Sequence, residues 1–375
     1  MKKVLIFSLA YYPHVGGAEI AIKEITDRIS DIEFDLITLR FDEKDAATEK
    51  IGNVTVHRIG YGKDYISKIL FVPRAATYAM RLDKEKRFDA CWAMMSYMLL
   101  PIVIMRRRGF NIPYALTLQE GDTYQHMFGR VRILPFLPLI NSGFKNAEIV
   151  QTISKYLACW ARSRGYRGTI EMIPNGADLK RFSGELHPHE GKVLITTSRL
   201  VHKNAIDDVI RALPNLEGIR FKILGTGPDE KMLRSLAQKE NVSDRVEFLG
   251  HADHASLAHE LRAADIFIRP SRSEGMGSSF VEAMAAGLPV IATQEGGIAD
   301  FLFDEKRNPD KPTTGWAVDK DSPEQIAEAV KDILARPEKV HEVVAAAKKM
   351  VFEKYDWDKI AKDMRERVFT TLFAK

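Results

Sequence analysis

The sequence predicts an α/β protein of two domains, each a parallel sheet with helices on both faces. Three observations predict it. Short apolar runs of strand length alternate with helical segments along the chain. The alternation pauses at the polar, turn-rich stretch 182–191 and then restarts. The 375 residues exceed one ordinary core and suit two domains of usual size. Such alternation builds doubly wound sheets.

In the first series, 3–9 is a β-run and 18–29 has helical period. Residues 34–39 and 54–59 read as strands, and 90–95 and 114–118 read so more weakly. Residues 147–154 form another strand ending in a helix cap, Ser154. The second series opens with strand 192–197 and helix 204–213. Strand 220–224, helix 231–240, strand 246–249 and helix 257–264 follow. Strand 265–269, a short apolar helix around Glu282 and strand 289–293 complete it. Residues 355–375 read as a helix with aromatic and charged faces. The expected division is 1–184, 185–354 and 355–375.

Composition excludes several classes. A hydrophobic share of 45% with 28% charged residues describes a soluble globular chain. No stretch reaches membrane-spanning length. The opening apolar run is short and meets Tyr11-Tyr-Pro-His-Val-Gly-Gly at once, so it reads as a buried strand, not a leader. Cys91 and Cys159 lack metal-ligand spacing and read as buried free thiols of a cytoplasmic protein.

Charge is uneven. Residues 1–184 hold 27 Lys and Arg against 19 Asp and Glu; the rest holds 28 against 32. Residues 58–132 hold 13 basic and 6 acidic residues, including Arg106-Arg107-Arg108 and Arg130-Val-Arg132 before an apolar run. Two readings fit: contact with an anionic membrane, or a solvated helix face beside the core. No nucleic-acid-binding motif accompanies the charge, so nucleic acid is not an expected partner.

The most specific stretch is Arg269-Pro-Ser-Arg-Ser-Glu274-Gly275-Met276-Gly277-Ser278-Ser279-Phe-Val-Glu282. A strand enters a Gly- and Ser-rich turn and a helix follows. Free N–H groups at a helix start face an anion, and a carboxylate one turn in can hold a ribose diol. Ser279-x-x-Glu282 is equally a capping box, which would give Glu282 a purely local task. Eighty residues upstream, Arg199-Leu-Val-His-Lys203 follows a strand. Two cations there can neutralise a leaving diphosphate, Arg as a fork and Lys as a point charge. Gly16 and Gly17, between the first strand and first helix, let backbone approach a ligand. Glu19 sits in that helix's first turn, where a carboxylate suits the dipole without any ligand.

These motifs, in this order, resemble the retaining glycosyltransferases of the two-Rossmann-domain GT-B fold, family 4-like (glycosyl transferases group 1). Glu274 and Glu282 match the family's Glu-x7-Glu, and Arg199 to Lys203 its Arg-Leu-x-x-x-Lys. Asn175-Gly176-Ala-Asp178, the loops at Gly227 and Gly250, and Gly296-Gly297 also match. The resemblance implies two Rossmann-like domains facing across a cleft, with the last helix crossing back to the first domain. It implies sugar transfer from a UDP- or GDP-sugar to a hydroxyl of a glycan or lipid-linked acceptor, with retention.

Glu274 would then face the transferred sugar, Arg199 and Lys203 the diphosphate, and Glu282 the ribose. Gly16 and Gly17 would face donor phosphates and acceptor. Backbone near His251 would touch the base, which leaves UDP and GDP both open. Many relatives carry a histidine where this chain has Gln119. Gln hydrogen-bonds but does not titrate, so a proton relay is excluded there. Glu120 and Asp122 are the nearest ionisable groups, for a sugar hydroxyl, for the acceptor's proton, or for structure alone. His14 is a further candidate for the site. No Asp-x-Asp stands at a strand end, and the two cations take the role of a divalent ion, so no metal or cofactor is expected. The competing readings are a nucleotide-sugar epimerase on the same fold and a binding module without catalysis.

Overall fold

The computed structural model describes residues 1–374, without the side chains of 254 and 255. Contacts divide the chain into two units. Unit 1 is Met1–Asn175 together with the residues from Trp357 onward, and unit 2 is Gly176–Asp356.

Unit 1 holds strands β1 (Lys2–Phe7), β2 (Ile32–Leu39), β3 (Thr48–Ile51), β4 (Val54–Ile59), β5 (Ala90–Met94), β6 (Tyr114–Leu118), β7 (Ile149–Thr152) and β8 (Ile170–Met172). They lie in the order β3-β4-β2-β1-β5-β6-β7-β8. All neighbours pair parallel except β3, which pairs antiparallel with β4. Strands covered on both faces read as continuous apolar runs, because no side of the pleat meets water. Accordingly Val4 to Phe7 and all of β5 and β6 are buried. β3 is mostly exposed and polar, and the sequence reading passed over it.

The tail is helical over Trp357–Asp363, widens into a π-helical turn at Met364–Phe369, and closes with Thr370–Phe373. Trp357, Ile360, Met364, Val368 and Phe369 join the core formed by β1, β2, β5 and the helix Gly17–Asp27. Arg365 to Asp31 and Arg28 to Asp358 tie the tail to the same unit at its surface.

Unit 2 holds β9 (Lys192–Thr197), β10 (Ile219–Leu224), β11 (Val246–Gly250), β12 (Ile266–Arg269), β13 (Val290–Ala292) and β14 (Trp316–Ala317). Their order is β11-β10-β9-β12-β13-β14, all parallel. The segment 176–184 belongs to unit 2 because Leu179 and Phe182 are buried on the short helix Leu179–Phe182, which packs on helix Ser278–Ala286. The division expected from sequence, 1–184 and 185–354, places that segment in the first domain instead. Among the described residues no helix is long and apolar enough to cross a membrane.

Each sheet has one switch point, where the strand order turns back: between β1 and β5, and between β9 and β12. In open α/β sheets, ligands bind beyond the carboxyl ends of the strands at such points. Cys91 is buried in β5, as expected. Cys159 is exposed on the helix Lys155–Ser163, against the expectation of two buried thiols.

Candidate functional site

The switch point of unit 2 gathers most of the sequence candidates. β9 ends at Thr197 and runs into Arg199 and Lys203; β12 ends at Arg269 and runs into Glu274 and Ser279. The strands are neighbours, so residues seventy positions apart in sequence share one edge.

Three glycine turns support the Arg199 loop from behind. Ser198 N–H donates to Leu224 O, and Leu200 N–H to Thr226 O. A Cβ on Gly225 would lie 1.8 Å from Ser198 O, and one on Gly227 2.1 Å from Leu200 O. Gly225 N–H donates to Gly250 O, which brings in the loop carrying the exposed His251. The loops at Gly227 and Gly250 are therefore scaffold for Ser198 to Leu200. Arg199 itself is exposed. Lys203 lies on the short 3-10 turn His202–Asn204, half-buried.

Two arginines that sequence reading passed over organise this edge. Arg269 is 5% exposed. Its guanidinium donates to Glu274 Oε2 at 2.8 Å, to Ser279 Oγ at 2.8 Å and to Thr197 O at 3.3 Å, and stacks on the Phe280 ring at 4.3 Å. One side chain thus joins the end of β9, the turn carboxylate and the helix start. Burial pulls the Arg269 pKa down, and the charges of Glu274 and Glu282 push it back up.

Arg272 fastens the two loops. Its backbone N–H donates to Lys203 O at 2.7 Å, and its guanidinium reaches His202 O, Asp207, Asp208 and Asp321. Burial opposes ionisation of Asp207, but Arg272 and Arg211 override it and hold the carboxyl low. Burial and the Asp207 charge raise Asp208. The sequence signal for both arginines was an Arg ending an apolar strand and another three residues on.

Glu274 is 14% exposed along its side chain, and its second oxygen accepts from Gly275 N–H at 3.0 Å. Behind it, Gly297 N–H donates to Glu274 O, and a Cβ on Gly296 would lie 2.0 Å from that oxygen. Met276 is buried. Gly277 is the N-cap of helix Ser278–Ala286, with φ +87°. A side chain there would strike Phe280 and Arg269 besides straining the backbone.

This cap corrects the capping-box reading. The helix starts at Ser278, so Ser279 lies inside its first turn and Glu282 lies past the third position. Among the described residues nothing donates a hydrogen bond to the half-buried Glu282 carboxylate. Burial pushes its pKa up to about 7, with Arg269 opposing. The first-turn N–H groups of such a helix lie outside its own ladder and present positive potential. Thr197 Oγ1, Ser198 Oγ, Asn204 Oδ1, Arg269 Nε and Ser271 Oγ, all at this edge, are buried without a hydrogen-bond partner among the described residues. A chemically unsatisfied polar edge of this kind suits a polar ligand.

The remaining candidates lie in unit 1. Gly16 caps the helix Gly17–Asp27, and its N–H donates to Glu19 Oε2 at 2.7 Å; a Cβ on Gly17 would meet nothing within 4 Å. Glu19 is thus engaged in its own helix start. His14 Nε2 pairs with Asp45 at 3.1 Å, and its ring packs edge-on to Phe41.

Gln119 follows β6 and forms a reciprocal amide pair with Asn175, both bonds at 3.0 Å. Asp122 is half-buried, 3.9 Å from His126. Glu120 takes the structural one of its expected roles. It is 0% exposed, and its two oxygens accept from Ser96 N–H at 2.7 Å and Gln119 N–H at 3.0 Å. Its carboxylate closes the turns after β5 and β6 and presents no face to a sugar.

Comparison with known proteins identifies the family and the fold. The Glycosyl transferases group 1 model matches residues 179–350, and the Glycosyltransferase Family 4 model matches residues 15–181. An uncharacterized glycosyltransferase of Methanocaldococcus jannaschii, MJ1607, is 32% identical over 96% of both chains. A GDP-mannose-dependent monoacylated alpha-(1-6)-phosphatidylinositol monomannoside mannosyltransferase of Corynebacterium glutamicum is 29% identical over 78% of this chain and 79% of its own. The sucrose-phosphate synthase structure from Thermosynechococcus elongatus superposes with a TM-score of 0.86 over the whole of both chains, at 20% identity. The chain belongs to the group 1 glycosyl transferases and has their GT-B fold of two parallel-sheet α/β domains.

Proposed function

We propose that this glycosyltransferase moves a sugar from a UDP- or GDP-sugar to a hydroxyl of a glycan or lipid-linked acceptor, with retention and without a metal. The observation that carries the reading is the meeting of the Arg199–Lys203 loop with the Glu274–Glu282 segment at the β9/β12 switch point. Unit 2 holds the donor. The Corynebacterium relative is described as GDP-mannose-dependent, which makes a guanine nucleotide the first to test. The same name includes a phosphatidylinositol monomannoside, which favours work at a membrane surface.

As the glycosidic bond breaks, negative charge grows on the leaving diphosphate. Arg199, Lys203 and the N–H groups at Ser278 and Ser279 stabilise it where it forms. Glu282 accepts hydrogen bonds from the ribose hydroxyls. Backbone near His251 lies against the base. Glu274, held by Arg269, accepts from a hydroxyl of the transferred sugar. The leaving phosphate oxygen takes the acceptor's proton, as the family resemblance implies; Glu120 is sealed and Gln119 does not titrate. Two fixed cations supply the charge that a divalent ion would otherwise supply. Unit 1 binds the acceptor beside Gly16, Gly17, His14, Gln119 and Asp122.

The test is a transfer assay with GDP- and UDP-sugars in EDTA, with the anomeric configuration of the product read by NMR. Retained configuration and undiminished rate in EDTA support the proposal. An inverted product, or loss of activity on chelation that a divalent ion restores, contradicts it.

A further inference from the structure

Unit 1 carries an apolar surface that its own elements leave uncovered. Among the described residues fifteen large hydrophobic side chains are exposed, and seven of them fall within 61–70 and 131–134. Ile66, Ile69 and Leu70 lie in the first turns of the helix Tyr65–Lys86, and Ile66 is 67% exposed. Val131 is 81% exposed and Leu134 48%. The two segments form one surface, because the Arg132 guanidinium sits over the Tyr65 ring at 4.8 Å.

Helical spacing shows that these positions do not belong to the core. Phe71, Ala75, Ala79 and Leu82 are the buried stripe of that helix. Positions 66, 69, 70 and 73 lie on the opposite side, where a helix in water normally carries polar residues. Here the outer face is apolar for two turns and then basic, at Arg74 and Arg81.

The charge around the patch is mostly of one sign. Lys63, Lys68, Arg74, Arg130 and Arg132 flank it, and all but the half-buried Arg130 are exposed. The nearby acid, Asp64, is spent on the helix cap, accepting from Ser67 N–H at 2.9 Å and Ser67 Oγ at 2.6 Å. Beside the patch opens a cavity of about 380 Å³ lined by Pro73, Arg74, Thr77, Tyr78 and Arg81. Among the described residues neither Arg74 nor Arg81 is in an ion pair. Arg106, by contrast, is tied to Glu148 at 2.8 Å and stacked on Tyr114, so that basic run is partly structural.

We propose that this face docks on an anionic phospholipid bilayer. Ile66, Ile69, Leu70, Val131 and Leu134 enter the acyl boundary, and Arg74 and Arg81 receive a lipid phosphate in the cavity. Exposed apolar residues beside two arginines that have no ion pair among the described residues suit an interface of that composition. A second copy of the chain is disfavoured, because the same positive rim would face itself. The proposal deepens the lipid-linked-acceptor reading above by naming the surface that reaches the acceptor.

The experiment is flotation of the full chain with phosphatidylcholine vesicles, with and without phosphatidylglycerol. Parallel measurements of GDP and UDP binding and of sedimentation velocity accompany it. The chain floats with phosphatidylglycerol vesicles, stays behind with pure phosphatidylcholine, and is released by salt. The double variant I66E/L70E lowers the bound fraction about tenfold or more, and R74E/R81E lowers it while leaving Tm unchanged. Absence of flotation, or variants that float like the parent, overturns the proposal. So does a parent dimer that either variant turns into monomers. Nucleotide binding that survives in every variant separates this outcome from failure of the donor site.

Discussion

Arg269 and Glu274 stand five residues apart, on opposite sides of a turn, and meet at 2.8 Å in surroundings that leave Arg269 only 5% exposed. Their pairing fixes the direction of the Glu274 carboxylate. It also places a buried cation close enough to Glu282 to act on its titration. One arginine therefore conditions both acids of the Glu-x7-Glu pair.

Replacing Arg269 by Lys keeps the charge but loses the fork that reaches Glu274, Ser279 and Thr197 together. Turnover is expected to fall about tenfold to a hundredfold, corresponding to roughly 1.4–2.8 kcal/mol of transition-state stabilisation. Nucleotide affinity is expected to stay within about threefold of the parent. Steady-state kinetics beside calorimetry check this; unchanged kcat rejects the orienting role.

Removing Arg272 leaves Asp207 and Asp208 buried without their main counter-charge. Breaking a buried pair on one side costs about 3–5 kcal/mol, so R272A is expected to lower the urea midpoint clearly. The double variant R272M/D208L, which removes charge from both sides, is expected to recover part of that loss. A parent-like midpoint for R272A would show that the two loops do not depend on this clasp.

Glu282 makes the pH prediction. Its folded pKa, raised from 4.5 to about 7, means that the folded state holds the proton more tightly than the unfolded chain. Its stabilising contribution is full below pH 4.5, declines as pH rises towards 7, and is absent above. E282Q is therefore expected to raise Tm at pH 8 by about 2–4 °C for each kcal/mol recovered, and to leave it unchanged near pH 4.5. On the proposed role, in which the charged form accepts from ribose, nucleotide affinity of the parent is expected to weaken as pH falls below 7. An E282Q variant with parent-like affinity and pH dependence rejects the ribose role.

Gln119 and Asn175 bond to each other through both amides, so each determines the other's orientation. Q119A, N175A and the double variant are expected to lose similar amounts of activity, with the double no worse than either single by more than about twofold. Additive losses in that cycle would mean the two residues act separately.

Much of the architecture was legible in the sequence because both sheets are parallel. Strands covered on both faces need unbroken apolar runs, and those runs stand out between helical periods. β3 was not legible, since Thr48-Glu-Lys-Ile51 is an exposed, polar edge whose pairing depends on the turn at Gly52. Residues 176–184 were misplaced because the polar stretch after them looks like a linker, whereas Leu179 and Phe182 bury into unit 2. The motif acids and cations were readable by type and spacing. Arg269 and Arg272 were not, because Thr197, Asp207 and Asp208, which complete their bonding, lie far away along the chain. The capping-box alternative for Glu282 was undecidable from spacing alone; the left-handed Gly277 decided it by starting the helix one residue before Ser279.

The claim on which the account rests is that Arg199, Lys203 and the tip of helix Ser278–Ala286 hold the diphosphate. Calorimetric titration of GDP, GMP, UDP and UMP into the parent, R199A and K203A measures it directly. Each variant is expected to lose about tenfold or more in affinity for the diphosphate the parent binds, and much less for its monophosphate. Diphosphate affinities equal to the parent's in both variants would contradict it.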